Sequence, residues 1–110
     1  MTRLITAVVL LMLIGCAEAP PRRHTLRAEL AGLEYGAARA KLLAEGWAAV
    51  PSAAAPGAGP ARTAYDHGWT EVESCTEGEV VCSFGFKRGE NCVHVVTIGN
   101  RVERIDRRCF

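Results

Sequence analysis

The chain has 110 residues with 13 basic and 12 acidic side chains and five cysteines; this is one small domain at most, and it excludes a multi-domain enzyme or a polytopic membrane protein. A formal net charge of +1 argues against a dedicated nucleic-acid binder, because affinity for a phosphate backbone needs an excess of Lys and Arg. Three Phe, two Trp and two Tyr make a thin core, so covalent staples are expected.

Residues 1–15 have the three parts of an export signal. Arg3 supplies the positive n-region, Leu4 to Ile14 form an apolar run of eleven, and Gly15 and Cys16 close it. At 1.5 Å per residue that run reaches about half of a ~30 Å hydrocarbon core, which makes it an h-region rather than a span. Leu13-Ile14-Gly15-Cys16 resembles the bacterial lipobox. That resemblance implies removal of 1–15, acylation of Cys16 on sulfur and then on nitrogen, and, with Ala17 in place of Asp after the cysteine, outer-membrane delivery. Two or three acyl chains anchor stably where one is marginal, at roughly 0.8 kcal/mol per buried CH₂. Ala17-Glu18-Ala19 offers a rival cut for ordinary signal peptidase, which Pro20 just beyond it disfavours. Loss of Arg3 leaves 12 basic and 12 acidic side chains, so gross charge does not select the partner.

Residues 16–32 read as a tether, with Pro20-Pro21-Arg22-Arg23 and no sustained apolar period. The arginine pair either lies on anionic headgroups or is a solvated spacer. Tyr35 to Glu45 is the predicted helix: Tyr35, Ala38 and Leu42 recur at helical spacing, while Arg39, Lys41 and Glu45 fall mostly outward. Gly46 sits where a left-handed residue ends a helix, and Trp47 would pair with Leu42 across that cap. Ala48 to Val50 begins a short strand. Pro51 to Ala61 holds only Pro, Ser, Ala and Gly; with nothing large to bury it is expected to be a flexible loop, slack rather than a functional flap.

Strand texture begins at Trp69. In Val80 to Lys87, Val80, Cys82, Phe84 and Phe86 share one face and Ser83, Gly85 and Lys87 the other, the period of a half-buried antiparallel strand. Residues 88–91 form a turn, Cys92 to Ile98 the next strand, Gly99-Asn100 a two-residue hairpin turn with glycine first, and Arg101 to Cys109 returns. These turns pair Phe86 with Val93, Phe84 with Val95, and Cys82 and Val102 with Thr97, so one apolar face emerges for the helix to cover. A preceding strand with its turn at Glu77-Gly78 would put Glu71 and Glu73 on the core side, which demands a bulge or a loose edge. The expected fold is α+β: one main helix on a three- to four-stranded antiparallel sheet, in a single domain over 33–110.

With Cys16 spent on lipid, Cys75, Cys82, Cys92 and Cys109 remain, an even number suited to two disulfides in an exported body this small. Three pairings are open. Cys75 and Cys82 flank a tight turn and share the inner face, while Cys92 and Cys109 lie on adjacent strands and share the outer face; 75–82 with 92–109 is therefore favoured. A zinc site of Cys75, Cys82, Cys92 and His94 lacks CxxC spacing. His24, His67 and His94 are scattered and no serine has a nucleophile-like context, so no catalytic residue and no cofactor are assigned. Arg101, Arg104, Arg107 and Arg108 make the last strand basic, as edge protection or as a partner surface, with Arg101 and Arg107 expected to point away from the helix and Arg104 and Arg108 to sit nearer its edge.

The stretch Leu33 to Trp47, read as YxxARxxLxxxGW, together with Glu71-Val72-Glu73-Ser74-Cys75 and Cys82-Ser83-Phe84-Gly85-Phe86, resembles a group of small uncharacterised bacterial exported proteins over roughly residues 33–98. The helix-then-hairpin order resembles more loosely the outer-membrane assembly lipoproteins and the extracellular PASTA module, from which the lack of a second clear helix and the disulfides set it apart. These features lead to the expectation of a non-enzymatic binding or scaffold lipoprotein of the cell envelope. Its partners would be the membrane, through Cys16, and an envelope protein or the cell wall, with no nucleic acid. The alternative is an anchored inhibitor that plugs a lysozyme or protease with the 76–79 turn.

Overall fold

The computed structural model describes residues 26–110; Cys16, the leader, Arg22, Arg23 and His24 lie outside the described residues. The elements in chain order are α1 (Leu26–Leu30), α2 (Tyr35–Ala44), β1 (Ala48–Ala49), α3 (Gly59–Asp66), β2 (Val72–Cys75), β3 (Val81–Arg88), β4 (Asn91–Ile98) and β5 (Arg101–Asp106). The α+β class is as expected, but with five strands instead of three or four, and with two further helices among the described residues.

The meander β3–β4–β5 is the frame. Phe86 faces Val93, Phe84 faces Val95 and Cys82 faces Thr97 in β3–β4, and Thr97 faces Val102 in β4–β5, the registers predicted from the turns. The first turn is tighter than the expected 88–91, since Arg88 pairs with Asn91 and leaves only Gly89-Glu90 between the strands. The inner face buries Cys82, Phe84, Phe86, Val93, Val95 and Val102. Helix α2 covers it with Tyr35, Ala38 and Leu42, all at 1% exposure or less.

That helix stops where its sequence says it must. Gly46 is left-handed (φ 89°); the Trp47 N–H donates to the Leu42 carbonyl at 3.0 Å and the Gly46 N–H to that of Leu43 at 3.2 Å, the two bonds of a Schellman cap. Arg88 adds a third closure, donating to the Glu45 carbonyl at 3.2 Å while its guanidinium lies 4.6 Å from the Trp47 ring centre. One sheet strand thereby holds both the helix end and the chain that leaves it.

Three expectations are corrected. The tether does not run to residue 32: Leu26 to Leu30 is helical, Leu30 is buried, and residues 32–34 close the edge of β5, with the Gly32 N–H on the Val102 carbonyl and the Val102 N–H on that of Leu33, both at 2.9 Å. The loop over 51–61 is not slack throughout. Ser52 is held by the Thr70 carbonyl, and Gly59 begins α3, with Pro60 in the first turn, where its fixed φ suits a helix and its missing N–H costs nothing. Third, β5 does not alternate simply. A bulge at Glu103 shifts the register between Thr97–Val102 and Val96–Arg104. It turns Ile105 inward opposite Val95 and puts Arg104 on the outer face, contrary to the expected placing of the arginines.

A second bulge resolves the awkward strand. Cys75 pairs with Cys82 and Ser74 with Ser83, but Val72 pairs with Phe84, so Glu73 is the extra residue. Val72 takes the core position at 0% exposure and Glu73 moves to the outer face.

The outer face is covered by the last residues of the chain. Disulfides join Cys75 to Cys82 and Cys92 to Cys109, the favoured pairing. The second brings Phe110 over Gly85, where a Cβ would collide with the Phe110 ring, and against His94 at 4.7 Å between ring centres. His94 and Val96 are therefore buried on a face expected to be wet. The 92–109 bond closes a span of 17 residues and the 75–82 bond one of 7; loop entropy values them at about 3 and about 2 kcal/mol. The double variant Cys92→Ser/Cys109→Ser should accordingly lose about 3 kcal/mol in urea unfolding, and protease should cut the 107–110 segment first.

Candidate binding cleft

Between α3 and the uncovered end of the inner face lies an open cleft of about 480 Å³. Its floor is Phe84, Cys82 and Thr97, one wall is Pro60, Thr63, Ala64 and His67 from α3, and the other is Tyr35 with the Gly99-Asn100 turn. Trp69 stands at the back with its ring edge-on to Tyr35 at 4.8 Å; Tyr35 stacks on Phe84 at 3.7 Å, and His67 meets Trp69 at 4.4 Å. No Asp, Glu, Lys or Arg side chain lines it. This volume and chemistry suit an apolar or aromatic group, with Thr63, Thr97 and Asn100 as the polar points that would orient it.

The cleft has a rigid back because a buried carboxylate joins α2 to the turn before β2. Glu71 is 1% exposed, and its Oε1 accepts from the Tyr35 hydroxyl at 2.7 Å and from the Arg39 guanidinium. Burial, and then the Glu71 charge, hold the Tyr35 hydroxyl protonated far above its ordinary range. The hydrogen bond to Glu71 raises Arg39 as well. Two donors from one helix face, four residues apart, thus meet one oxygen of this core-side glutamate, while its Oε2 is buried without a hydrogen-bond partner among the described residues.

A second polar cluster lies on the outer face. His94 is fully buried; its Nε2 lies 2.8 Å from Glu73 Oε2, yet neither ring nitrogen makes a well-formed hydrogen bond. Burial lowers its pKa below the ordinary 6.5, against the opposing pull of Glu73. Among the described residues no group of His, Cys, Asp and Glu is arranged to hold a metal ion; Cys75, Cys82 and Cys92 are in disulfides.

The two arginines singled out by the sequence are not brought together. Arg101, at the start of β5, donates to the Gly32 carbonyl at 3.0 Å and lies 3.9 Å from Glu34, so it ties the strand to the segment leading into α2. Arg107 lies beyond the other end of β5. Sequence reasoning missed the cleft residues, although the aromatic density of Tyr65-Asp66-His67-Gly68-Trp69 was a signal for them. Compared with family models, curated proteins and solved structures, the chain matches none.

Both polar clusters can be tested by substitution. Arg39→Met leaves the buried Glu71 carboxylate with the Tyr35 hydroxyl alone and should cost about 3 kcal/mol in urea unfolding, toward the low end for a broken buried pair because Arg39 is partly exposed. His94 binds protons less readily folded than unfolded, so its contribution is present above pH 6.5 and is lost as pH falls through the lowered folded value. The melting temperature should therefore drop between pH 7 and pH 5, and the drop should be smaller in His94→Gln.

Proposed function

We propose that the protein is a lipid-anchored binding module of the bacterial envelope, held at the periplasmic face of the outer membrane through acyl chains on Cys16, which takes an apolar or aromatic group of an envelope partner into the cleft beside α3. The observation that carries the binding part is the cleft, an aromatic-walled opening of about 480 Å³ with no Asp, Glu, Lys or Arg side chain in its lining. Support for export comes from the lipobox resemblance at Leu13 to Cys16 and from two disulfides, bonds that persist in oxidising compartments.

A second reading has its own support. Residues 76–79 are all exposed and are pinned at the base by Cys75–Cys82 and across it by the Thr76 hydroxyl on the Glu79 carbonyl at 2.8 Å. A stiff, exposed loop bearing Glu77 and Glu79 is the shape of an inhibitor that enters an enzyme cleft.

Substitution separates the two. Thr63 is exposed on the cleft wall, so Thr63→Trp should fill the opening while shifting the melting temperature by no more than about 2 °C. If the cleft is the binding site, partner cross-linked in the envelope should fall at least tenfold in Thr63→Trp and stay unchanged in Glu77→Lys/Glu79→Lys; the reverse pattern supports the inhibitor. Cys16→Ser should move the protein out of the membrane fraction or leave it unprocessed. A Cys16→Ser protein that stays membrane-bound at the wild-type mature mass would end the anchoring part.

A further inference from the structure

The end of the body that receives the tether is basic. Arg27, in the first turn of α1, lines one polar hollow together with Ile105, Asp106, Arg107 and Arg108 at the far end of β5. The one carboxylate that lines it is already engaged, with Arg104 3.1 Å from Asp106, and Arg108 lies 3.4 Å from Glu73. Arg27 and Arg107 are both exposed, and neither has a carboxylate within 4 Å among the described residues. Two unneutralised guanidiniums, from elements 80 positions apart in the chain, thus face one opening.

We propose that this hollow is a docking surface for the anionic headgroups of the membrane that anchors the chain, and that it sets the orientation of the body on that membrane. The proposal rests on the anchoring reading of Cys16. Leu26 follows Cys16 by ten residues, and at ~3.3–3.6 Å per residue the chain cannot carry α1 more than about 35 Å from the bilayer. Arg27 is the first basic residue of the described body, so the patch nearest the anchor is the one with free positive charge. Each basic side chain at an anionic surface raises affinity by roughly fivefold, and tethering keeps the surface at high effective concentration, so two arginines suffice to populate the docked state. The consequence reaches the cleft. Gly99-Asn100 rims the cleft at the start of β5 while the hollow lies at its other end, about 20 Å away for a six-residue strand. Docking by the hollow holds the cleft rim at the end of the strand distant from the lipid.

The test uses the acylated protein purified from its own membranes and reconstituted in vesicles of phosphatidylethanolamine with 30% phosphatidylglycerol, or of phosphatidylcholine alone. Amide exchange in segments 26–31 and 103–108 should slow at least fivefold in the anionic vesicles only. The slowing should vanish in 0.5 M NaCl and in Arg27→Gln/Arg107→Gln, a variant whose melting temperature should be unchanged because both side chains are exposed. Equal exchange in both vesicles, or protection that survives the double substitution, overturns the proposal. Equal protection by inorganic phosphate without vesicles, at matched ionic strength, also overturns it in favour of a free-anion site. The mass of the N-terminal peptide judges the anchor separately. If Cys16 carries no acyl chain the anchoring reading falls, and arginine-dependent co-flotation of that same chain with the anionic vesicles still decides whether the hollow binds headgroups.

Discussion

The burial of Glu71 constrains more of this fold than any single apolar contact. An ionised carboxylate taken out of water must be met by donors, and here they come from Tyr35 and Arg39 on one face of α2. Meeting that demand fixes the rotation of α2 about its axis and the approach of the Trp69-to-Glu71 turn. It also sets Tyr35 against both Phe84 and Trp69. The back of the cleft is therefore held by electrostatics as much as by packing, and α3 is carried to its position by the short turn that follows it.

The two faces of the sheet are protected by different means. The inner face has helices; among the described residues the outer face has the last residues of the chain, drawn across it by Cys92–Cys109 and accommodated by the absence of a side chain at Gly85. A body of this size buries a smaller share of its surface than a larger domain does. The bond to Cys109 substitutes for a layer of secondary structure, and the burial of His94 is the cost of that economy.

Much of the frame was legible from residue order. The period of two in Val80 to Lys87, the two turns and the cap at Gly46 are local signals that agree with one another, and such agreement is hard to produce by chance. The cysteine pairing followed from the same registers. What escaped detection depended on long-range compensation. Glu71 in the core is intelligible only once Tyr35 and Arg39 are known to reach it. Val102 and Ile105, three apart in one strand, cannot share a face without an inserted residue, so the bulge at Glu103 left a trace that simple alternation overrode. Helix α3 was hidden because alanine, glycine and proline read as loop when taken alone; its helical character comes from Pro60 at the start and from packing through Ala64. The cleft stayed invisible for the same reason, since it has α3 as a wall.

The cysteine bonds also bear on how the chain acquires its shape. The pairs are consecutive along the sequence, Cys75 with Cys82 and Cys92 with Cys109, and neither loop encloses a cysteine of the other. Were the chain exported N-terminus first with Cys16 taken by lipid, as proposed, the first pair would be complete before Cys92 emerged, and an oxidant joining the remaining cysteines in order of appearance would make the native bonds directly. Under that route order of emergence and native connectivity would coincide, and thiol exchange would not be required to correct a mispaired intermediate.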